Sequence, residues 1–308
     1  MAIMGPMEYA RKYWNLEFPI LNDNNEIVGF DRVRFAKYRL HNGAGKDAKE
    51  PPGLSDFRSA VVNYAYGFFK QGRSLEMKVK NVWGDVYHMG AKTSKEFQPF
   101  LVRAVQAFYG KGSPEDVQLT LQLAVRCGVI TNGVQQYCDH QVDKYARLGL
   151  DCNGFVGNYL RYRNSVTKWN YYDKNSRNSI NGETMIRDMC TSLGTKMIGN
   201  TDEMSVPQVH VLGRVDSNGT VINQYSSDGI AHVMITQAQH WGRQDALPPI
   251  PKEYVGRQYL RYSGVESTPD VGLSDFQYTI LNVAKNGVAT VWRDKVFSSI
   301  KAKIYPVK

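Results

Sequence analysis

The sequence predicts an α+β protein, on three observations. Helix-period runs fill its first part, and period-two runs take over after residue 205. Hydrophobic residues make up 42% of the 308 positions against 22% charged, the balance of a chain with a packed core. The organisation expected is a mostly helical region over 1–110 and a second domain over 111–308, in which helices precede an antiparallel sheet.

Taken in order, NNEIVGFDRVRFAKYRL (24–40) alternates and reads as extended, and NGAGKDAKEPPG (42–53) reads as a polar loop. SDFRSAVVNYAYGFFKQG (55–72) reads as a helix with Ser55 as N-cap and Gly72 as stop, and EFQPFLVRAVQAFYGKG (96–112) repeats that pattern. GSPEDVQLTLQLAVRCG (112–128) carries the clearest helix signals. Ser113 caps it, Pro114 takes the first turn, Glu115 and Asp116 meet the positive dipole end, and Gly128 ends it. Val117, Leu121, Ala124 and Val125 give that helix one apolar face. Residues 165–205, rich in Asn, Ser, Asp and Lys, read as a loop with a short helix near 183–193. The period then switches. PQVHVLGRVDSNGTVINQY (207–225) predicts a hairpin turning at Asp216-Ser217-Asn218-Gly219. Strands follow at 230–237 and 258–267, a second hairpin at 276–293 turns around Lys285-Asn286-Gly287, and 301–307 closes the sheet.

A net charge of +9 suits an anionic partner: nucleic acid, a membrane surface or a cell-wall polymer. No block of five Lys/Arg and no nucleic-acid-binding signature occurs, so nucleic acid is not expected. No run of 18 apolar residues occurs, so no membrane span is expected. The opening MAIMGPMEYARKYWNLEF lacks a basic segment followed by an apolar one, and no secretory signal is read. The four cysteines (Cys127, Cys138, Cys152, Cys190) form no CxxC pair and are too sparse for a disulfide scaffold, so they read as reduced thiols. The histidines show no metal-site spacing, and neither metal nor cofactor is expected.

The chemistry concentrates in GLDCNGFVGNYLRYR (149–163), where Cys152 stands at the start of an amphipathic run carrying Phe155, Tyr159 and Leu160. A thiolate, not a thiol, attacks a carbonyl carbon. A helix N-terminus favours the anion through its dipole and its free N–H groups, which also suit an oxyanion. Gly154 admits a second backbone at close range. On the period-two side, AHVMIT places His232 on a strand, and His210 on PQVHVLG is a second candidate base. Cys127, Cys138 and Cys190 read as small buried hydrophobes.

DCNGFV resembles the Asp-Cys-Ser-Gly-Phe/Leu-Val nucleophile motif of the NlpC-like cysteine peptidases, with Asn153 in place of serine. AHVMIT is similar to the family's His-Val-Gly-Ile strand, with Met234 in place of glycine. The resemblance spans about residues 137–270 and keeps the family's order of cysteine before histidine. It implies a papain-like fold in which the nucleophile helix packs on an antiparallel sheet. It implies Cys152 as nucleophile, His232 as base, and a third polar residue that orients the imidazole. VEST puts Glu266 in that third place, with His240 and Gln237 as rivals. Asn153 and Tyr145, with Tyr137 beside it, are the candidates for positioning the reacting carbonyl or holding the oxyanion.

The implied activity is cleavage of amide bonds, most naturally in bacterial peptidoglycan, whose anionic character suits a basic enzyme. Without a signal, the expectation is synthesis in the cytoplasm and signal-independent export to the cell wall or periplasm. The carrier would be a phage lytic component or an antibacterial effector, with a delivery or immunity protein as a possible partner. Two other classes stay open. One is a papain-like acyltransferase or deamidase-type toxin acting on protein or lipid with the same Cys/His pair. The other is a non-enzymatic basic binding module with an inert Cys152.

Overall fold

A computed structural model of the chain describes residues 4–22, 27–38, 53–80, 86–130, 133–138, 148–163, 209–222, 225–226, 229–241, 252 and 260–307. The expected loop over 165–205, the short helix near 183–193, Tyr145 and Cys190 lie outside these residues. So do the side chains of Tyr137 and His240. The chain divides into two compact units. Of the described residues, one takes in those from Ala10 to Gly154; the other takes in those up to Tyr9 and those from Phe155 onward.

In chain order the helices and strands are α1 (Pro6–Trp14), β1 (Leu16–Leu21), β2 (Ile27–Val33), α2 (Leu54–Lys70), β3 (Leu75–Lys80), β4 (Val86–Ala91), α3 (Ser94–Phe108), α4 (Pro114–Arg126) and α5 (Cys152–Tyr162). β1 pairs with β2, and β3 with β4, both antiparallel. The region expected to be mostly helical therefore carries two hairpins. β2 supplies the extended segment foreseen over 24–40, although it stops at Val33.

α2 starts one residue earlier than the expected Ser55 cap. Gly53 takes the cap position, with φ 77° and no side-chain cap. The reason is packing. Starting at Leu54 puts that fully buried side chain on one stripe with Phe57, Val61 and Ala65, at helical spacing. α3 is capped by Thr93, whose Oγ1 accepts the Glu96 N–H at 3.3 Å. α4 has the anticipated Ser113 cap, reinforced by Asp116 into a reciprocal capping box. Its burial exceeds the single apolar face expected, since every residue from Asp116 to Ala124 is buried. Two of the polar side chains there reach neighbouring carbonyls: Thr120 Oγ1 donates to the Ala104 carbonyl at 2.8 Å, and Gln118 Nε2 donates to the Glu17 carbonyl at 2.7 Å. Phe57 and Phe108, ring centroids 4.9 Å apart, join α2 to α3.

The remaining strands are β5 (His210–Arg214), β6 (Tyr225–Ser226), β7 (Gly229–Ile230), β8 (Val233–Trp241), β9 (Leu260–Thr268), β10 (Gly272–Val283), β11 (Ala289–Arg293) and β12 (Ser298–Pro306). Six of them form a closed antiparallel barrel in the order β10-β11-β12-β5-β8-β9. The second expected hairpin appears as β10–β11, and β12 closes the sheet by pairing with both β11 and β5. The first expected hairpin appears in short form, with no second named strand paired to β5 across the turn among the described residues. The turn at Asp216 is there, with its Oδ1 accepting the Asn218 and Thr220 N–H groups at 3.0 and 2.8 Å. Among the described residues the two arms are linked by the Val215–Val221 bridge, by the Asp216 N–H donating to the Thr220 carbonyl at 2.9 Å and by the Ile222 N–H donating to the Arg214 carbonyl at 3.0 Å. β8 takes the edge of β5 only over Val211–Gly213, so the returning arm can reach β5 only at its end, Arg214.

Alternate residues of each strand fill the barrel. Leu212, Met234, Tyr262, Phe276, Tyr278, Val291 and Ile300 form its apolar interior. Gly264 makes room there, because a Cβ at that position would come within 2.5 Å of the Tyr278 ring. In the same unit, Tyr9 packs on Phe155, Tyr159 and Tyr162 with centroid separations of 6.1, 5.6 and 5.4 Å. Among the described residues, no helix is long and apolar enough to cross a membrane.

Candidate functional site

Two clusters carry the reactive side chains, one in each unit. In the first, Cys152 opens α5 as a buried free thiol, 4% exposed. Asp151 stands in the cap position and accepts the Gly154 N–H through Oδ1 at 2.5 Å. Its Oδ2 forms a buried ion pair with Lys111. Its own N–H donates to the Gly110 carbonyl at 3.1 Å, and the Leu150 N–H donates to the Lys37 carbonyl at 2.8 Å. The start of α5 is thus clamped to the segment joining α3 and α4. Gly154 is required by that clamp, because a Cβ there would overlap the Gly110 carbonyl oxygen. The close backbone approach expected at Gly154 is therefore present. Asn153 is buried beside the thiol.

The other described thiols have different surroundings. Burial pushes Cys127 up to about 12, against the weaker opposing effect of Arg126. Cys138 is fully buried, and its carbonyl accepts the N–H groups of Ala36 and Lys37 at 3.3 and 3.1 Å.

The second cluster lies at one end of the barrel interior. His232 immediately precedes β8, and its carbonyl accepts the Arg214 N–H at 2.9 Å, which ties its backbone to the end of β5. Its Nε2 donates to Glu266 Oε1 at 2.5 Å. Glu266, on β9, is fully buried. Its Oε1 also accepts Arg293 Nη1 from β11 at 2.6 Å, and its Oε2 accepts the Tyr278 hydroxyl from β10 at 3.2 Å. Arg293 Nη2 continues to Ser298 Oγ on β12 at 2.8 Å. Burial pushes the Glu266 carboxyl up, but the charges and hydrogen bonds of His232 and Arg293 outweigh it, and the group sits below the usual carboxylate range. Burial, reinforced by the adjacent carboxylate, pushes the Tyr278 hydroxyl well above its ordinary value, so it remains a proton donor.

The structure therefore brings His232 and Glu266 together. Gln237 is engaged elsewhere, its Oε1 accepting the Met7 N–H at 2.6 Å. His210 lies in the barrel at the start of β5, 0% exposed, with Thr236 Oγ1 3.4 Å from its Nδ1 and Tyr262 edge-on at 5.8 Å. Burial lowers it to about 4, which makes it a neutral core histidine.

Sequence reasoning passed over Lys111, Tyr278 and Arg293. Asp151 carried a legible signal, a short acid three residues ahead of a helical N–H. The partners of Glu266 had none, because strand register alone decides which side chains meet inside a barrel. No protein-family model, curated protein or solved structure matches this chain.

Proposed function

We propose that the chain is a papain-like thiol hydrolase of the NlpC-like kind, cleaving amide bonds with Cys152 as nucleophile and His232 as base. The observation that carries the reading is the hydrogen bond from His232 Nε2 to a fully buried, ionised Glu266. An imidazole held in this way keeps Nδ1 as the nitrogen that takes a proton, and the carboxylate stabilises the imidazolium that results. The capped start of α5 supports the other half of the reading, since it presents first-turn N–H groups around Cys152.

In the proposed reaction His232 takes the thiol proton and the thiolate attacks the amide carbonyl. Backbone N–H groups at the start of α5, with Asn153, stabilise the oxyanion. The imidazolium then protonates the leaving amine, and water, deprotonated by the same imidazole, releases the acyl group and restores the thiol. Peptidoglycan is the substrate proposed, in keeping with the net charge of +9.

The test is incubation of the purified protein with peptidoglycan and mass analysis of the fragments released. Wild type should release peptide fragments. Cys152→Ala should lower the rate by at least about a thousandfold with its circular dichroism spectrum unchanged. Full activity in the folded variant would remove Cys152 from the chemistry. Transfer of the acyl group to an added amine without hydrolysis would move the assignment to acyltransferase chemistry.

A further inference from the structure

We propose that Arg293 is a positioning residue for His232, the standing counterion that keeps Glu266 charged while the imidazole gains and loses its proton. The role rests on the reading of His232 as the base; the contacts behind it do not. Glu266 is fully buried, and a carboxylate there is costly unless paired. With histidine as its sole charged partner, the carboxylate would lose its counterion each time the imidazole became neutral. It would then draw the proton back to the pair and oppose its departure. A guanidinium stays protonated throughout the accessible pH range and removes that dependence.

The geometry fits this division of labour. Arg293 Nη1 and His232 Nε2 meet the same oxygen, Oε1, at 2.6 and 2.5 Å, and the Tyr278 hydroxyl fills Oε2 at 3.2 Å. With both oxygens occupied, the carboxylate is fixed in rotation. The guanidinium is fixed in turn by Ser298, at 2.8 Å from Nη2, and Arg293 and Ser298 are direct partners in the β11–β12 ladder. The charged and titratable groups bearing on the carboxylate are His232 ahead of β8, Tyr278 on β10 and Arg293 on β11, with Asp294 acting more weakly through Tyr278. A guanidinium this close disfavours imidazolium, while the carboxylate between them favours it.

The experiment is an NMR titration of the His232 ring nitrogens in the full chain. Cys152→Ala serves as the background, and the signal is assigned by its loss in His232→Gln. Removing the guanidinium in Arg293→Met should raise the His232 midpoint by about one pH unit. Arg293→Lys, which keeps the charge, should return it most of the way to the starting value. An unchanged or lowered midpoint in folded Arg293→Met overturns the proposal. Should Arg293→Met fail to fold, Glu266→Gln reports the same coupling from the other side. There the guanidinium faces the imidazole unneutralised, and the midpoint should fall; no fall overturns the proposal. With Cys152 restored, Arg293→Met should lower kcat about 10- to 100-fold with little change in KM, and the acid limb of the rate profile, where the base must be neutral, should follow the NMR midpoint. A titration shift with activity intact in Cys152→Ala would leave the Arg293 coupling standing and remove the hydrolase reading instead.

Discussion

At position 266 a single carboxylate receives three hydrogen bonds from residues that lie on or beside three different strands. Its substitution separates orientation from charge. Glu266→Gln keeps an acceptor for His232 Nε2 and loses the negative charge, so under the proposed hydrolase reading kcat for release of peptidoglycan fragments should fall about 10- to 100-fold. Glu266→Ala loses orientation as well and should fall further, a ranking read from initial rates of fragment release. The pairing of His232 with Glu266 was suggested only through the resemblance, which put Glu266 of VEST in the third place with His240 and Gln237 as rivals. In the fold His232 stands just ahead of β8, and β8 pairs with β9, which carries Glu266. Arg293 and Tyr278 were not legible. β10 and β11 read as a hairpin, but the inward face of that hairpin depends on the register of β10 against β9.

Among the elements, α5 shows how local signals and close packing combine. Its cap, its first residue and Gly154 all follow from DCNG, whereas the carbonyl that presses on Gly154 comes from a segment some forty residues earlier. Gly154→Ala should therefore destabilise the protein by roughly 1–3 kcal/mol, the cost of forcing a methyl group into a filled site. A urea melt should show a lower midpoint at an unchanged slope. A loss of reactivity at Cys152 should accompany it, because the clamp that holds the first turn is displaced. Capping signals were legible wherever a polar side chain does the capping, as at Ser113. They misled at Ser55, where a buried leucine set the helix start and a glycine cap left no side-chain signature. α4 was read as amphipathic because its polar residues are written like any others. Only its neighbours show that Thr120 and Gln118 spend their hydrogen bonds inside the protein.

For the molecule as a whole, the buried ionisable groups set how stability follows pH. His210 is buried neutral with its folded-state value lowered to about 4. A lowered value means that the stability tied to the neutral ring is fully present above the ordinary histidine range near 6.5. It is lost as pH falls from there toward 4. The loss amounts to about 3 kcal/mol by pH 4. Urea melts at pH 7 and pH 4 should show it, and His210→Phe should flatten that interval. Glu266, also lowered, adds a loss in the same direction at more acid pH, which the His210 variant should retain. The barrel has a further consequence, for biosynthesis. β5 is the first of its six strands to be made and β12 the last, yet the two are neighbours. Until β12 emerges from the ribosome, β5 and β11 each present an unpaired edge, the kind that recruits foreign strands. The nascent chain therefore passes through a stage in which His232, Glu266 and Arg293 have all been made but the wall around them is open. A protease cut within β12 would return the protein to that stage and convert a closed wall into two adhesive margins.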